Sequence, residues 1–411
     1  MITFDDLSEE SPRITIADES SPAAIKVLGV GGGGCNAINR MIAAGVRGVE
    51  FIAVNTDAQA LRSSLAGLRI QLLTPNGRGK ALGAGCDPEA ANKAALDKTE
   101  ELIECLEGAD MVFIAAGMGG GTGTGASPVI GSLARDAGAL TVAVVTKPFA
   151  FEGTRKARIA DKGIEELRGG VDTLITVPNS RLLKMVGPQV SVVEAFKLAD
   201  EALRHGVQGI SDIINETGII NRDFADVETV MRGGGMALMG IGIGSGEHRA
   251  IEAAQQAFSS PLLEDTALEG AQRVLVNFVG GEETTINEIN DAAEYIAKRC
   301  APDCLFLFGY GQRPELADRI QVTVVATGFG ETAQDAASLR PAARSSARTM
   351  LRGDTAPPEA ASAPASPYLR TNLPPDWGVM VGQGNGENLP EGLAEKFSEF
   401  ETPTYLRRQM D

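Results

Sequence analysis

Thr122 and Thr124 are set among glycines in the stretch Gly117-Met118-Gly119-Gly120-Gly121-Thr122-Gly123-Thr124-Gly125, directly after the apolar run Met111-Val112-Phe113-Ile114-Ala115-Ala116. The run reads as a buried strand, and a helix is expected over residues 126–135, with Pro128 tolerable only in its first turn. Strand, glycine loop and helix start together aim unpaired backbone N–H groups and the positive end of a helix dipole at one point. The matching chemistry is phosphate binding, with the two hydroxyls as added donors. The loop contains no Lys and does not fit G-x-x-x-x-G-K-[ST], so ordinary P-loop chemistry is a poor match. Charge on a polyphosphate would be met by backbone N–H groups, a metal ion and residues from elsewhere. A purely structural turn also needs glycine, but has no use for the interleaved threonines.

Other elements must hold this loop. Residues 24–30 read as a first strand, followed by Gly31-Gly32-Gly33-Gly34-Cys35-Asn36 and a helix through Ile38, Met41 and Ile42. Further strands are expected at residues 50–54, 69–73, 110–116, 139–146 and 171–177, with helices between most of them. Such alternation predicts an α/β fold with a Rossmann-like parallel sheet covered on both faces. In the doubly wound order 3-2-1-4-5-6, the first and fourth strands are neighbours at the switch point, so both glycine loops open into one crevice. A rival fits the first loop alone. Gly29-Val30-Gly31-Gly32-Gly33-Gly34 satisfies G-x-G-x-x-G, and Glu50 lies at the spacing of a ribose acid, as in an NAD-linked dehydrogenase. Against it, a dinucleotide site has no use for the second loop, and no His/Asp or Tyr/Lys catalytic set follows; His205 and His248 are isolated.

At 411 residues the chain predicts two domains plus extensions. A net charge of −17 argues against nonspecific nucleic-acid binding. Five cysteines spread over this length predict reduced thiols and a cytosolic location. Cys300 and Cys304 have no second pair or nearby His to complete a zinc site, and no metal-ligating set is read anywhere. The acidic start is no signal peptide, and no apolar run approaches membrane-spanning length. After Gly233-Gly234-Gly235, strands at residues 236–243, 273–279, 305–309 and 320–326 and helices at 247–258 and 286–300 predict a smaller α/β domain. Residues 1–22 read as a disordered extension and 331–390 as a disordered linker. The end, 391–411, regains Leu393, Phe397 and Phe400 and reads as a docking peptide on a flexible tether.

The run from Gly119 to Gly125 resembles the signature of the tubulin/FtsZ superfamily. Asn55-Thr56-Asp57, Phe149 to Gly153 and Asn221-Arg222-Asp223-Phe224-Ala225-Asp226 are similar to its bacterial cell-division branch in particular, in order and spacing. The resemblance implies a GTPase that polymerises into the filaments of the division ring at midcell; the alternative is another tubulin-like filament GTPase, such as one for plasmid segregation, which the C-terminal peptide argues against. It implies a GTP-binding domain at 23–188, a long central helix and catalytic loop at 189–228 and a C-terminal domain at 229–330. Gly31, Gly32 and Asn36 match the loop beside the diphosphate and base, and Gly119, Gly120, Gly121, Thr122, Gly123, Thr124 and Gly125 the loop around the phosphates. Ala84 and Gly85 sit in the terminal-phosphate-sensing loop, where Cys86-Asp87 departs from the expected Ala-Asn. Glu152 matches the ribose-binding acid. The usual Arg four residues later is Lys156, beside Arg155; Lys cannot make the two-pronged contact of Arg. GTP or GDP with Mg²⁺ is the implied ligand.

On the next helix, expected at residues 191–207, Phe196 and Asp200 are four apart and share a face. A flat ring and a carboxylate suit guanine, stacked on Phe and bonded through its N–H groups to Asp. Asp223 and Asp226 lie side by side near the start of a helix that Asp226 can begin, where simple capping would also place them. By resemblance, Asn221, Asp223 and Asp226 reach the nucleotide of a neighbouring subunit and orient the attacking water. Such a head-to-tail, heterologous contact builds an open filament. Pro403, Tyr405, Leu406, Arg407 and Arg408 resemble the family's C-terminal peptide, which recruits membrane tethers and regulators. Membrane attachment is then indirect, without insertion.

Overall fold

The computed structural model describes residues 23–74, 83–184, 189–215, 223–260, 263 and 270–329. Expectations for the N-terminal extension, the linker, the C-terminal peptide and Asn221 fall outside them. Six parallel strands form the first part of the sheet: β1 (Ile25–Val30), β2 (Val49–Asn55), β3 (Leu68–Gln71), β4 (Met111–Gly117), β5 (Leu140–Lys147) and β6 (Thr173–Pro178). Their order is β3-β2-β1-β4-β5-β6, and β1 pairs directly with β4, from Ile25 on Met111 to Val30 on Ala116. The doubly wound order is therefore present, with its switch point between the two glycine loops.

The apolar runs have a two-sided cause. Along β4, Met111, Phe113 and Ala115 enter one core, and Val112, Ile114 and Ala116 the other. A strand buried on both faces has no polar side to show, so its sequence does not alternate. The first core is closed by α1 (Gly31–Ala43), α8 (Val192–Asn215) and α9 (Phe224–Met231), through Ile38, Leu203 and Val230 among others. The second lies under α3 (Pro88–Leu96), α4 (Thr99–Leu106), α5 (Thr122–Asp136) and α6 (Thr154–Gly170). Short helices α2 (Ala58–Arg62) and α7 (Asn179–Leu182) fill connections.

Three expectations need correction. Helix α5 starts at Thr122, inside the glycine stretch, so Pro128 is interior rather than in the first turn. Its ring costs one backbone bond; Ser127 Oγ donates to Gly123 O at 2.6 Å nearby, and the helix runs on. Helix α8 extends to Asn215, two turns past the predicted end. Asp226 does not begin α9: Asp223 precedes the first helical residue, Phe224, and Asp226 N donates to Asp223 O at 2.9 Å.

The smaller second part is continuous with the first. β7 (Gly235–Ser245) pairs parallel with β6 and antiparallel with β10 (Arg319–Thr327), and β8 (Arg273–Gly280) and β9 (Leu305–Gln312) complete a ten-stranded sheet. Gly240, Gly242 and Gly244 lie on one face of β7, and helix α10 (Arg249–Phe258) sits so close that an added Cβ would meet its backbone oxygens at 2.2 Å or less. With α11 (Ile286–Ala297), α10 closes a third core over Val274, Phe278, Ile320 and Val324. None of the described helices is long and apolar enough to cross a membrane.

Candidate nucleotide site

Because α1 follows β1 and α5 follows β4, adjacent strands deliver two helix starts to one crevice at the carboxyl edge of the sheet. Their backbones nearly touch. A Cβ on Gly31, whose φ of +72° already favours glycine, would meet Gly123 N at 2.8 Å. Gly119, with φ +102°, lies against Lys156 O and donates its N–H to Thr124 Oγ1 at 2.9 Å. Gly32 and Gly120 face open space, which leaves their backbone accessible to a ligand. Thr124 Oγ1 thus braces the loop as an acceptor, a bond that does not use its O–H. Thr122 bonds instead to Thr56, Oγ1 to Oγ1 at 2.7 Å, which ties the loop to the end of β2.

Ala84 and Gly85 belong to a tight turn closed by Asp87 N to Ala84 O at 3.0 Å. Asp87 then caps α3, accepting from Glu89 N and Ala90 N. The turn lies against the phosphate loop, since a Cβ on Gly121 would meet the Ala84 methyl at 2.8 Å. Cys86 is exposed in it with φ +60°.

At the other side, Glu152 accepts from Phe149 N at 2.9 Å and pairs with Lys156 at 3.0 Å. The Lys156 backbone adjoins Gly119 while its ammonium pairs with Glu152, and Arg155 is exposed. Phe149 is buried and stacks on Phe151; Phe196 meets both edge-on, at 5.2 and 6.4 Å between ring centres. Phe196 is 42% exposed, so part of its surface remains for a base.

Asp200 lies one turn further along α8 and accepts from Arg40 Nε of α1 at 2.8 Å. Burial pushes the Asp200 carboxyl above the usual range, and the Arg40 contact works against that shift. Asn36 is four residues before Arg40 on α1, and exposed, so α1 and α8 bring Asn36, Phe196 and Asp200 towards one cleft. Arg40 carries no signal in the sequence: its partner is 160 residues away.

Glu50 fails as a ribose acid. It pairs with Lys26 near the starts of β1 and β2, the sheet edge opposite the glycine loops, and its side chain is 55% exposed. That removes the dehydrogenase alternative. Asp223 and Asp226 are carried at the start of α9, which closes at the other edge of the sheet. Helix α9 ends where Thr173 Oγ1, at the start of β6, donates to Met231 O, and Thr327 Oγ1 donates to Val230 O at 3.0 Å. The structure therefore unites the loop residues, Glu152, Lys156, Phe196 and Asp200, and separates them from the two aspartates.

The "Tubulin/FtsZ family, GTPase domain" matches residues 24–187 and the "FtsZ family, C-terminal domain" residues 235–330. Among solved structures, "FtsZ dimer, empty" from M. jannaschii is 40% identical, with a TM-score of 0.72, covering 75% of this chain and 89% of that one. This chain belongs to the FtsZ family. It is accordingly a GTPase. CetZ2 from Haloferax volcanii, as a GTPγS-bound protofilament, and CetZ1, as a GDP-bound monomer, share the fold at 20% and 19% identity, both with TM-score 0.63, covering 76% of this chain and 96% of theirs.

Proposed function

We propose that this chain polymerises head-to-tail into the filaments of the bacterial division ring, and hydrolyses GTP at sites shared between adjacent subunits. One observation carries the shared site: the glycine crevice and the aspartates lie at opposite edges of the sheet. Helix α8 begins near the Phe149 cluster and ends where Asn215 Nδ2 donates to Gly48 O, just before β2. Its 24 residues span about 36 Å. Because α9 also ends at the amino edge of the sheet, the aspartates at its start are set apart from their own chain's crevice, whereas a second copy stacked along the same axis can bring them to it.

In this arrangement the α1 and α5 starts bind the phosphates through backbone N–H groups, and Phe196, Asp200 and Asn36 hold the base. Glu152 and Lys156 border the ribose. Asn221, Asp223 and Asp226 of the next subunit orient water for in-line attack on the terminal phosphate, releasing GDP and phosphate. Catalysis is positioning and electrostatic stabilisation, with no covalent enzyme intermediate. Among the described residues no cluster of three His, Cys, Asp or Glu side chains could cage a metal. Mg²⁺ fits as an ion carried by the phosphates and water, with the Thr56–Thr122 hydroxyl pair at hand. It would neutralise phosphate charge there. The C-terminal peptide, with Pro403, Tyr405, Leu406, Arg407 and Arg408, is the proposed dock for membrane tethers and regulators.

Asp226→Ala tests the split site. The variant is expected to bind GTP and assemble, with turnover nearly abolished. Mixed with Asp200→Ala, which lacks the base contact but keeps its aspartates, it should recover turnover at mixed interfaces. Normal turnover in Asp226→Ala alone would remove Asp226 from catalysis.

A further inference from the structure

Asp200 is the acid proposed above to read guanine, and a carboxyl reads purines differently in its two protonation states. Ionised, it only accepts, which matches guanine's N1–H and amino donors. Protonated, it donates one bond and accepts one, which matches adenine's N1 acceptor and amino donor. Base choice at this site therefore depends on what fixes the state and orientation of one buried carboxylate.

We propose that Arg40 is the positioning residue that sets base specificity, by clamping Asp200 Oδ2 so that the carboxylate stays ionised and turned towards the base cleft. The geometry supports this directly. Arg40 Nε reaches Oδ2 at 2.8 Å, and the Asp200 side chain is 14% exposed. One lone pair of Oδ2 is used, and the others remain for a ligand. The charged groups acting on Asp200 are Arg40 from α1, which favours the ionised form, and its neighbour Glu201 on α8, which opposes it. Glu201 is itself held by Arg204 at 2.6 Å. Burial also opposes ionisation and is the largest influence, so Arg40 is the group that holds part of that shift back. Removing it leaves a buried carboxylate facing Glu201 alone, a state relieved by taking up a proton. The inference rests on Asp200 being the base contact, and the experiment separates the two.

Binding of GTP, ITP and ATP would be measured on monomeric protein, below the concentration of assembly, from pH 5.5 to 8 for the wild type and for Arg40→Ala, Arg40→Lys and Asp200→Ala, with unfolding curves to confirm that each is folded. The wild type should keep its GTP preference throughout. Arg40→Ala should lose at least about tenfold of the GTP-to-ATP ratio, and lose more as pH falls, because ATP binding strengthens while GTP binding weakens. Arg40→Lys, which restores the charge, should recover most of it; should Arg40→Ala prove unfolded, Arg40→Lys and Arg40→Gln carry the comparison. A purely structural role would weaken all three nucleotides alike at every pH. A ratio in Arg40→Ala or Arg40→Gln equal to the wild type at each pH overturns the inference. If Asp200→Ala keeps the full preference for GTP, the assignment of Asp200 itself is wrong; if it loses that preference while the Arg40 variants keep theirs, only the role of Arg40 is wrong.

Discussion

Cys86 stands in the turn beside the phosphate loop, exposed, while Cys35 and Cys105 are buried and Cys300 and Cys304 partly buried. Burial pushes Cys35 and Cys105 up to about 11 and Cys300 up to about 12, and raises Cys304, so these resist becoming the reactive thiolate. Iodoacetamide at pH 8 should therefore modify Cys86 first, GTP should slow that reaction, and Cys86→Ser should abolish the fast phase. Fast labelling unaffected by GTP would place the turn away from the terminal phosphate. His205 gives a pH prediction with a definite sign. Burial and the adjacent Arg204 hold it down from 6.5 to about 4, with Arg204 Nη2 at 2.8 Å from Nε2. Between those values the unfolded chain binds a proton that the fold refuses, so stability is lost as pH falls through that window and is untouched above it. Urea unfolding of His205→Gln should lose less stability than the wild type between pH 7 and pH 5; an equal loss would exclude His205 as the cause. At this scale the sequence was informative where the residue type is itself the signal, as with the glycine loops. It was silent on Arg40, whose meaning depends on a partner across the fold.

Helix α8 lies on the sheet through small residues. A Cβ on Gly209 would meet Thr323 Cγ2 of β10 at 2.8 Å, and one on Gly206 would meet Val144 Cγ1 of β5 at 2.7 Å. Gly209→Ala gains about 1 kcal/mol of helix propensity, yet forces overpacking that costs about 1–3 kcal/mol. Net destabilisation is expected in urea unfolding, with recovery in the double variant that adds Thr323→Ser, which removes the clashing methyl. Equal instability of single and double variants would contradict the packing account. The same glycines explain why the sequence pattern predicts α8 only to Val207: they weaken a helix locally, and the sheet that holds it is not local. Pro128 is the parallel case in α5, a breaker by its own chemistry that the packed helix carries. Strand order was legible because β-α alternation with buried runs admits few arrangements.

At the scale of the molecule, the junction between the two α/β parts was the least legible feature. Composition changes after Gly233-Gly234-Gly235, in keeping with a second, smaller domain that has its own core, and β7 continues the first sheet into it. Only the pairing of Thr173 with Gly235 and its neighbours reveals that continuity, and strand pairing leaves no mark on either segment alone. The consequence is mechanical: one sheet carries the glycine crevice at one edge and α9 at the other, so a contact made at either edge is set against a shared frame. The claim that assembly completes the GTPase is tested most directly by measuring sedimentation and phosphate release together, with Mg²⁺ and GTP, across protein concentrations, against GDP and ATP controls. The account predicts pelleting with GTP only, and specific activity that rises with concentration. GTP hydrolysis at a constant specific activity, with nothing in the pellet, would mean a self-contained site and would contradict it.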